Sequence, residues 1–487
     1  MASPIALPAA FDGMAQDFPR DSMPKGKAWN MVDYIPQSLG APLTERGGWA
    51  YASPSLAVSD TAATNVLAVT YAPFTGGAQL LAINDTGNLL KVASSATATN
   101  VGAVIIPKQN PVFHQNVLVI TNSNGTTALK KYDGTTIAAL GGTSPAAQYA
   151  AVFANRTWLA NASAQPQRVY ASNAGDATSY DTTNTWLDVS APVTGLAALP
   201  NVLLVFMQDK TARFRGTTPP PQTDMIIDDP IFQYGCTDAR SIAVNGSSCC
   251  FANGTGVFLT NGTAFPTDLT EAVGMKKYWR DLLATYDPSA WTLGGGWFGN
   301  LYVISVMSAG SFVDAIVFDV RKSTAYRVSN LDATAFGAAV QAGQELYAAA
   351  RGEARLYKLS TMFTPAVAYK ADGDGTAVAG VWETPFYDTQ KIGTQRWKDV
   401  YLEYDLRDAA TDVPTMTLGY IDSPEVTSYT SCSPVLAVTT KRKLVRRPVR
   451  KHSMGMAFKV TRTNAASQAK IYGIGSTAYP REGSRRN

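Results

Sequence analysis

Histidine is almost missing from this chain: His114 and His452 are the only two among 487 residues. A zinc site built on imidazoles, or a nucleophile relayed through histidine, lacks its usual raw material. Cysteine is scarce as well. Cys236, Cys249, Cys250 and Cys432 form no dense framework, which excludes a small disulfide-stapled module. The adjacent Cys249 and Cys250 read as two buried thiols, with a vicinal disulfide as the rarer arrangement. Charged residues make up only 16% of the chain, too few for long solvated helices. No uninterrupted apolar run reaches the roughly 20 residues that span a bilayer, so no membrane insertion is expected. The opening MASPIALPAAFDG has no basic stretch ahead of a long apolar core. No secretory signal is read there, and synthesis in the cytoplasm is expected.

The signatures of common chemistries are missing too. The sequence contains no GxSxG, no GxxxxGK[ST] and no HExxH, hence no nucleophile elbow, phosphate loop or zinc-protease helix. The glycines of LGGGWFGN, 293 to 300, are not followed by Lys-Ser or Lys-Thr; a bulge or a turn between strands is expected instead. Asp372-Gly-Asp374-Gly opens like a calcium loop but lacks the distal oxygen ligands, so it reads as a turn. Asp228 and Asp229 are neighbours in DMIIDDPIFQYG. Glycoside hydrolysis needs two carboxylates facing each other across a cleft, which adjacency does not supply. No catalytic, cofactor or metal residue is assigned, and the expectation is a non-enzyme.

What is present is apolar sequence cut into strand-length pieces. Apolar residues make up 46%, and the length suffices for more than one core. Pieces such as NVLLVFM, NLYVISVM and AIVFDV alternate with Asn-Gly, Asp-Gly, Asn-Asp and Gly-Asn, residues that tolerate positive φ in tight hairpins. Sequons such as Asn253-Gly-Thr and Asn261-Gly-Thr read as the same turn chemistry. A loose unit recurs in LLAINDTGNLLKVA, GSSCCFANGTGVFLTNG and ELYAAARGEARLYKLS: apolar strand, polar-Gly turn, apolar strand, short basic or aromatic strand. This predicts an all-β fold, with a degenerate β-propeller of about six blades over 51–380. A pair of β-sandwiches is the competing architecture. One helical insertion is expected near 268–286, capped by Asp268 or Thr270.

A turn-rich stretch, KADGDGTAVAG, precedes a change of pattern. From 381 to 487 the pieces RWKDVYLEYDL, TMTLGYID, KRKLVRRPVRKHS, MAFKVTRTN and KIYGIG predict a second, antiparallel sandwich-like β-domain. Charge is divided the same way. The total is +4, but residues 391 to 487 hold 17 Lys and Arg against 8 Asp and Glu, a balance of +9, leaving the rest near −5. The densest run is KRKLVRRPVRK, with Lys441, Arg442, Lys443, Arg446, Arg447, Arg450 and Lys451; Arg481, Arg485 and Arg486 extend it. It fits nucleic-acid phosphates, an acidic partner or a plain solvated strand. No comb of aromatics accompanies it, so sequence-specific recognition is not expected.

Residues 1–50 form the remaining region. KGKAWNMVDYIPQSLGAPLTERGGW, 25 to 49, is apolar at intervals and irregular in backbone. Trp29, Tyr34, Ile35 and Trp49 are costly to expose, and Pro36, Pro42 and Gly47-Gly48 turn the chain between them. The pattern predicts an ordered strap on the propeller or on the C-terminal domain, with Trp29, Tyr34 and Trp49 as strap or subunit contacts. Lys25, Lys27 and Arg46 are candidates to meet a neighbouring subunit.

Three stretches together resemble a known family. VDYIPQSLGAP with ERGGW comes first. The second is DDPIFQYGCTDARSIAVNGSSCCFANGTGVFLTNG, 228 to 262. The third runs through WETPFYD, RWKDVYLEY, KLVRRPVRKHSMGMAFKVT and AKIYGIG. In order and spacing these resemble the tail hub, or nozzle, proteins of tailed bacteriophages, most of all the packaged-DNA stabilisation proteins of short-tailed phages. The likeness implies a virion tail protein without enzymatic activity that assembles as a homo-oligomeric ring, a hexamer, below the portal and its adaptor. It also implies contacts with tail fibres, spikes or a needle, and non-specific passage of double-stranded DNA along the axis. Two other readings stay open: a β-propeller that binds or cleaves glycans, and a fibre-base protein of the same virion.

Overall fold

The structure is a computed structural model. It describes residues 3 to 480 apart from short interruptions, the longest at 36–42, 52–64, 364–377, 389–394, 408–414 and 433–438. The architecture is all-β, with several small antiparallel sheets. Among the described residues, six sheets have four strands, and a ten-stranded sheet contains a further four-stranded meander at one end. In chain order the meanders begin at Val66–Phe74, Val112–His114, Tyr149–Phe153, Val193–Leu199, Ala243–Asn245, Trp291–Phe298 and Ala333–Ala339. The first strand of each meander contacts the first strand of the next, and Ala333–Ala339 contacts Val66–Phe74. The arrangement is propeller-like. The last meander takes its fourth strand from the N-terminal region: Ala50–Tyr51 pairs with Tyr357 and Lys358.

Crowding among these first strands explains the glycine triplet. Gly294, Gly295 and Gly296 lie inside Trp291–Phe298, not at a turn or bulge as expected. A Cβ at Gly295 would stand 2.5 Å from the carbonyl oxygen of Ser241, and one at Gly296 would stand 2.5 Å from Cβ of Phe336. The absent side chains let neighbouring sheets approach. The turn chemistry is as expected at Asn253, whose Oδ1 accepts from the amides of Thr255 and Gly256. Other hairpins use Gln115-Asn116 and Ala154-Asn155 at positive φ, where sequence alone suggests no turn as strongly as Asn-Gly does.

The expected helix is present but divided into Leu269–Val273 and Lys276–Leu282. Asp268 caps the first by accepting from the Glu271 amide at 3.0 Å. Gly274 then turns left-handed at φ 77 and ends it. The break receives the N-terminal segment: the amides of Gln16 and Asp17 donate to the Gly274 carbonyl. The Asp17 carboxylate in turn accepts from the amides of Lys276 and Lys277 at 2.8 and 2.6 Å, capping the second helix from far away in sequence.

The five strands expected after residue 390 are Gln395–Arg407, Thr415–Ile421, Thr439–Ser453, Gly455–Thr463 and Gln468–Pro480. They divide between two sheets. The six-stranded sheet runs Tyr34–Ile35, Leu43–Glu45, Gln468–Pro480, Gln395–Arg407, Thr439–Ser453, with Ser3–Ala6 also on Gln468–Pro480. The other two strands extend the ten-stranded sheet, where Asn30–Val32 joins the Thr324–Val328 strand of a meander to Val381–Glu383 and Gly455–Thr463. The apolar faces share one core, with Val400, Leu402, Tyr404 and Ile471 from one sheet and Leu418, Phe458 and Val460 from the other. N-terminal and C-terminal chain segments are thus interleaved.

Candidate functional site

The basic run lies on Thr439–Ser453, at the edge of the six-stranded sheet. Its alternation is set by pairing with Gln395–Arg407, in register Val445 to Leu402 and Arg446 to Tyr401. Val445 and Val449 are buried, while Leu444, 62% exposed, and Arg446 face outward. Arg446 donates to Asp399 Oδ2 at 2.7 Å. The Asp399 side chain is only 6% exposed, so Arg446 compensates a buried carboxylate. Arg447 is half-buried beside Tyr404 and Cys432, whose thiol burial pushes up to about 11 while Arg447 works the other way. Arg450 is exposed at φ 52, and exposed Lys451 stands 3.8 Å from Asp422. Lys441, Arg442 and Lys443 lie on the same strand, though their side chains fall outside the described residues.

This edge is built to refuse a further strand. Pro448 has no amide to donate, Arg450 breaks the ladder with positive φ, and the row of like charge repels an identical strand. These are the devices by which sheet edges avoid pairing. Contacts made here run through side chains, and the chemistry offered is a line of cations suited to phosphates or carboxylates.

The strap residues lie elsewhere. Tyr34 is fully buried, facing Arg462, in the core shared by the C-terminal sheets. Trp29 is half-buried, with the Arg20 guanidinium 4.7 Å over its ring, and its amide donates to the Glu383 carbonyl. Asp33, at φ 59, accepts from the amide and hydroxyl of Ser329. The strap is therefore clamped to a meander on one side and to the C-terminal strands on the other. Lys27 donates to the Asp12 carbonyl within the strap. Trp49, Lys25, Arg46 and Asp372-Gly-Asp374 fall outside the described residues.

Sequence reasoning missed a second charged group beside the strap. Glu383, buried, accepts from Arg20 at 3.4 Å, Lys459 at 3.0 Å and the Tyr429 hydroxyl at 3.1 Å. Four separated segments supply it, and no local signal in any of them announces the cluster.

The carboxylates considered for glycosidase chemistry have structural partners. Asp228 is held by Arg213 and Arg215, which depress its pKa, and Asp229 accepts from the amide and hydroxyl of Ser190. His114 is buried, with Nδ1 at 2.9 Å from Thr157 Oγ1 and Nε2 at 3.3 Å from Asn155 Oδ1. Cys249 and Cys250 are free thiols, and as neighbours in a strand they enter different cores. Among the described residues, no group of three or more His, Cys, Asp and Glu is placed to hold a metal ion. No described helix is long and apolar enough to cross a membrane.

No protein-family model matches the sequence, and no curated protein matches it. Solved structures similar to it include BamB from Moraxella catarrhalis, at TM-score 0.35 and 11% identity, covering 67% of this chain and 93% of that one. BBS1N, solved in complex with ARL6DN, is similar at TM-score 0.41 and 12% identity, covering 64% of this chain and 96% of that one.

Proposed function

We propose that the chain is a structural, non-enzymatic component of a bacteriophage tail. Copies assemble as a ring, a hexamer, below the portal and its adaptor, retain packaged DNA and conduct it during ejection. In this reading the meanders close into a propeller of seven blades, in place of about six. The strap and the C-terminal strands form a second, sandwich-like body that carries the assembly contacts with adaptor and fibres. The observation that carries the proposal is the guarded basic edge, Thr439–Ser453. A row of cations that repels a further strand suits a polyanion sliding past, since charge holds DNA without reading it. The remainder of the chain carries a net charge near −5, opposite in sign to this edge.

The test uses Arg447, Arg450 and Lys451, because removing Arg446 would strand Asp399. Duplex DNA binding by the full chain is measured against salt. Wild type should bind without sequence preference. The triple change to Ser should lower the salt slope by about 2 to 3, at roughly 0.9 for each phosphate that is no longer neutralised. An unchanged slope makes the edge a merely solvated face.

A further inference from the structure

The ten-stranded sheet carries a cavity of about 320 Å³ on the face away from the shared core. Its floor is two cross-strand pairs, Thr417 with Thr461 and Gly419 with Lys459. Gly419 leaves the floor open: a Cβ there would stand 3.1 Å from Cβ of Tyr429. Ser431, paired with Gly419, continues the floor, and Thr427 and Tyr429 form the wall. At one end the cavity meets the group around Glu383. The Tyr429 hydroxyl donates to Glu383 Oε2 and accepts from Arg20 Nη1 at 3.4 Å, which fixes the ring. Arg20 and Lys459 both pair with the one carboxylate of Glu383, leaving one positive charge in excess. The Arg20 side chain is 10% exposed and that of Lys459 is 32% exposed, so Lys459 is the cation a ligand reaches.

We propose that this cavity binds a sugar bearing a carboxylate. Thr417, Thr427, Ser431 and Thr461 supply hydroxyls that both donate and accept, matching the two-way hydrogen bonding of a polyol. Tyr429, its ring flanked by Lys459 Nζ at 5.4 Å and the Arg20 guanidinium at 5.8 Å from the centroid, closes one end of the cavity, and Lys459 supplies the counter-charge for the sugar carboxylate. The cavity volume lies at the small end of ligand sites, suited to one sugar residue. The lining favours a sugar over an acidic peptide, because four of its side chains are hydroxyl-bearing Thr or Ser and Lys459 is its one cation. The site is separate from the basic edge, and its existence does not depend on the tail reading.

Titration calorimetry on the full chain, with glucuronate, N-acetylneuraminate, glucose, acetate and oligoglutamate as probes, tests it. The acidic sugars should bind saturably, with glucose and acetate weaker. Lys459→Met should weaken acidic-sugar binding by at least about tenfold, as loss of a charge-assisted hydrogen bond requires. Thr427→Trp fills the cavity from its exposed wall without touching the Glu383 group, and should abolish binding while thermal unfolding stays unchanged. No binding of either acidic sugar to wild type overturns the proposal. Binding that survives Thr427→Trp, acetate as tight as glucuronate, or oligoglutamate binding in place of sugar overturns it as well.

Discussion

Two residues show how little of a side chain's role its type conveys. Tyr34 has the spacing of a contact residue, and the structure buries it completely. Its hydroxyl has no hydrogen-bond partner among the described residues, so its value is in the ring. Tyr34→Phe should change unfolding free energy by less than about 1 kcal/mol, whereas Tyr34→Ala should cost about 3 to 5 kcal/mol; denaturant unfolding of both variants decides. Asp228 reads in sequence as half of a carboxylate pair and is instead an ion-pair partner of Arg213. Its folded pKa is depressed by hydrogen bonds from Arg213. The stability it contributes is therefore present above its unfolded pKa, about 4, and is lost as pH falls through the lower folded value. Asp228→Asn should flatten the acid limb of the stability profile below about pH 4 and leave its shape near neutrality unchanged. An acid limb identical to wild type would show that the pair contributes nothing.

At the scale of elements, the strap ties the two bodies of strands together. Asn30–Val32 bridges a meander to Val381–Glu383, Ala50–Tyr51 completes the last meander, and Ser3–Ala6 adds to Gln468–Pro480. Removing residues 1–51 exposes edges at all three places and uncovers Trp382, whose indole donates to the Ala10 carbonyl. The truncated chain should lose cooperative unfolding and aggregate; a sharp thermal transition at the wild-type temperature would contradict this. Much of this level was legible in sequence. The five C-terminal strands and the helical stretch near 268–286 follow from apolar spacing and turn residues. The divided helix and the borrowed fourth strand were not legible, because Asp17 and Ala50–Tyr51 act across more than 250 residues. The Glu383 group was hidden for the same reason. Hydrophobic periodicity reports which face is buried and says nothing of which distant segment buries it.

At the scale of the whole molecule, a propeller-like succession of small antiparallel sheets adjoins an interleaved second body that carries a cationic edge. In the proposed tail assembly, a long, basic edge closed to strand addition would suit a surface lining a passage, which must attract a polyanion and resist fusing with its own copies. The measurement closest to this claim is electron cryomicroscopy of particles containing the chain. The account predicts six copies around the tail axis below the portal adaptor, with Thr439–Ser453 facing the DNA channel or the adjoining copy. Density for the chain anywhere other than below the portal, or a tail complete without it, would contradict the account.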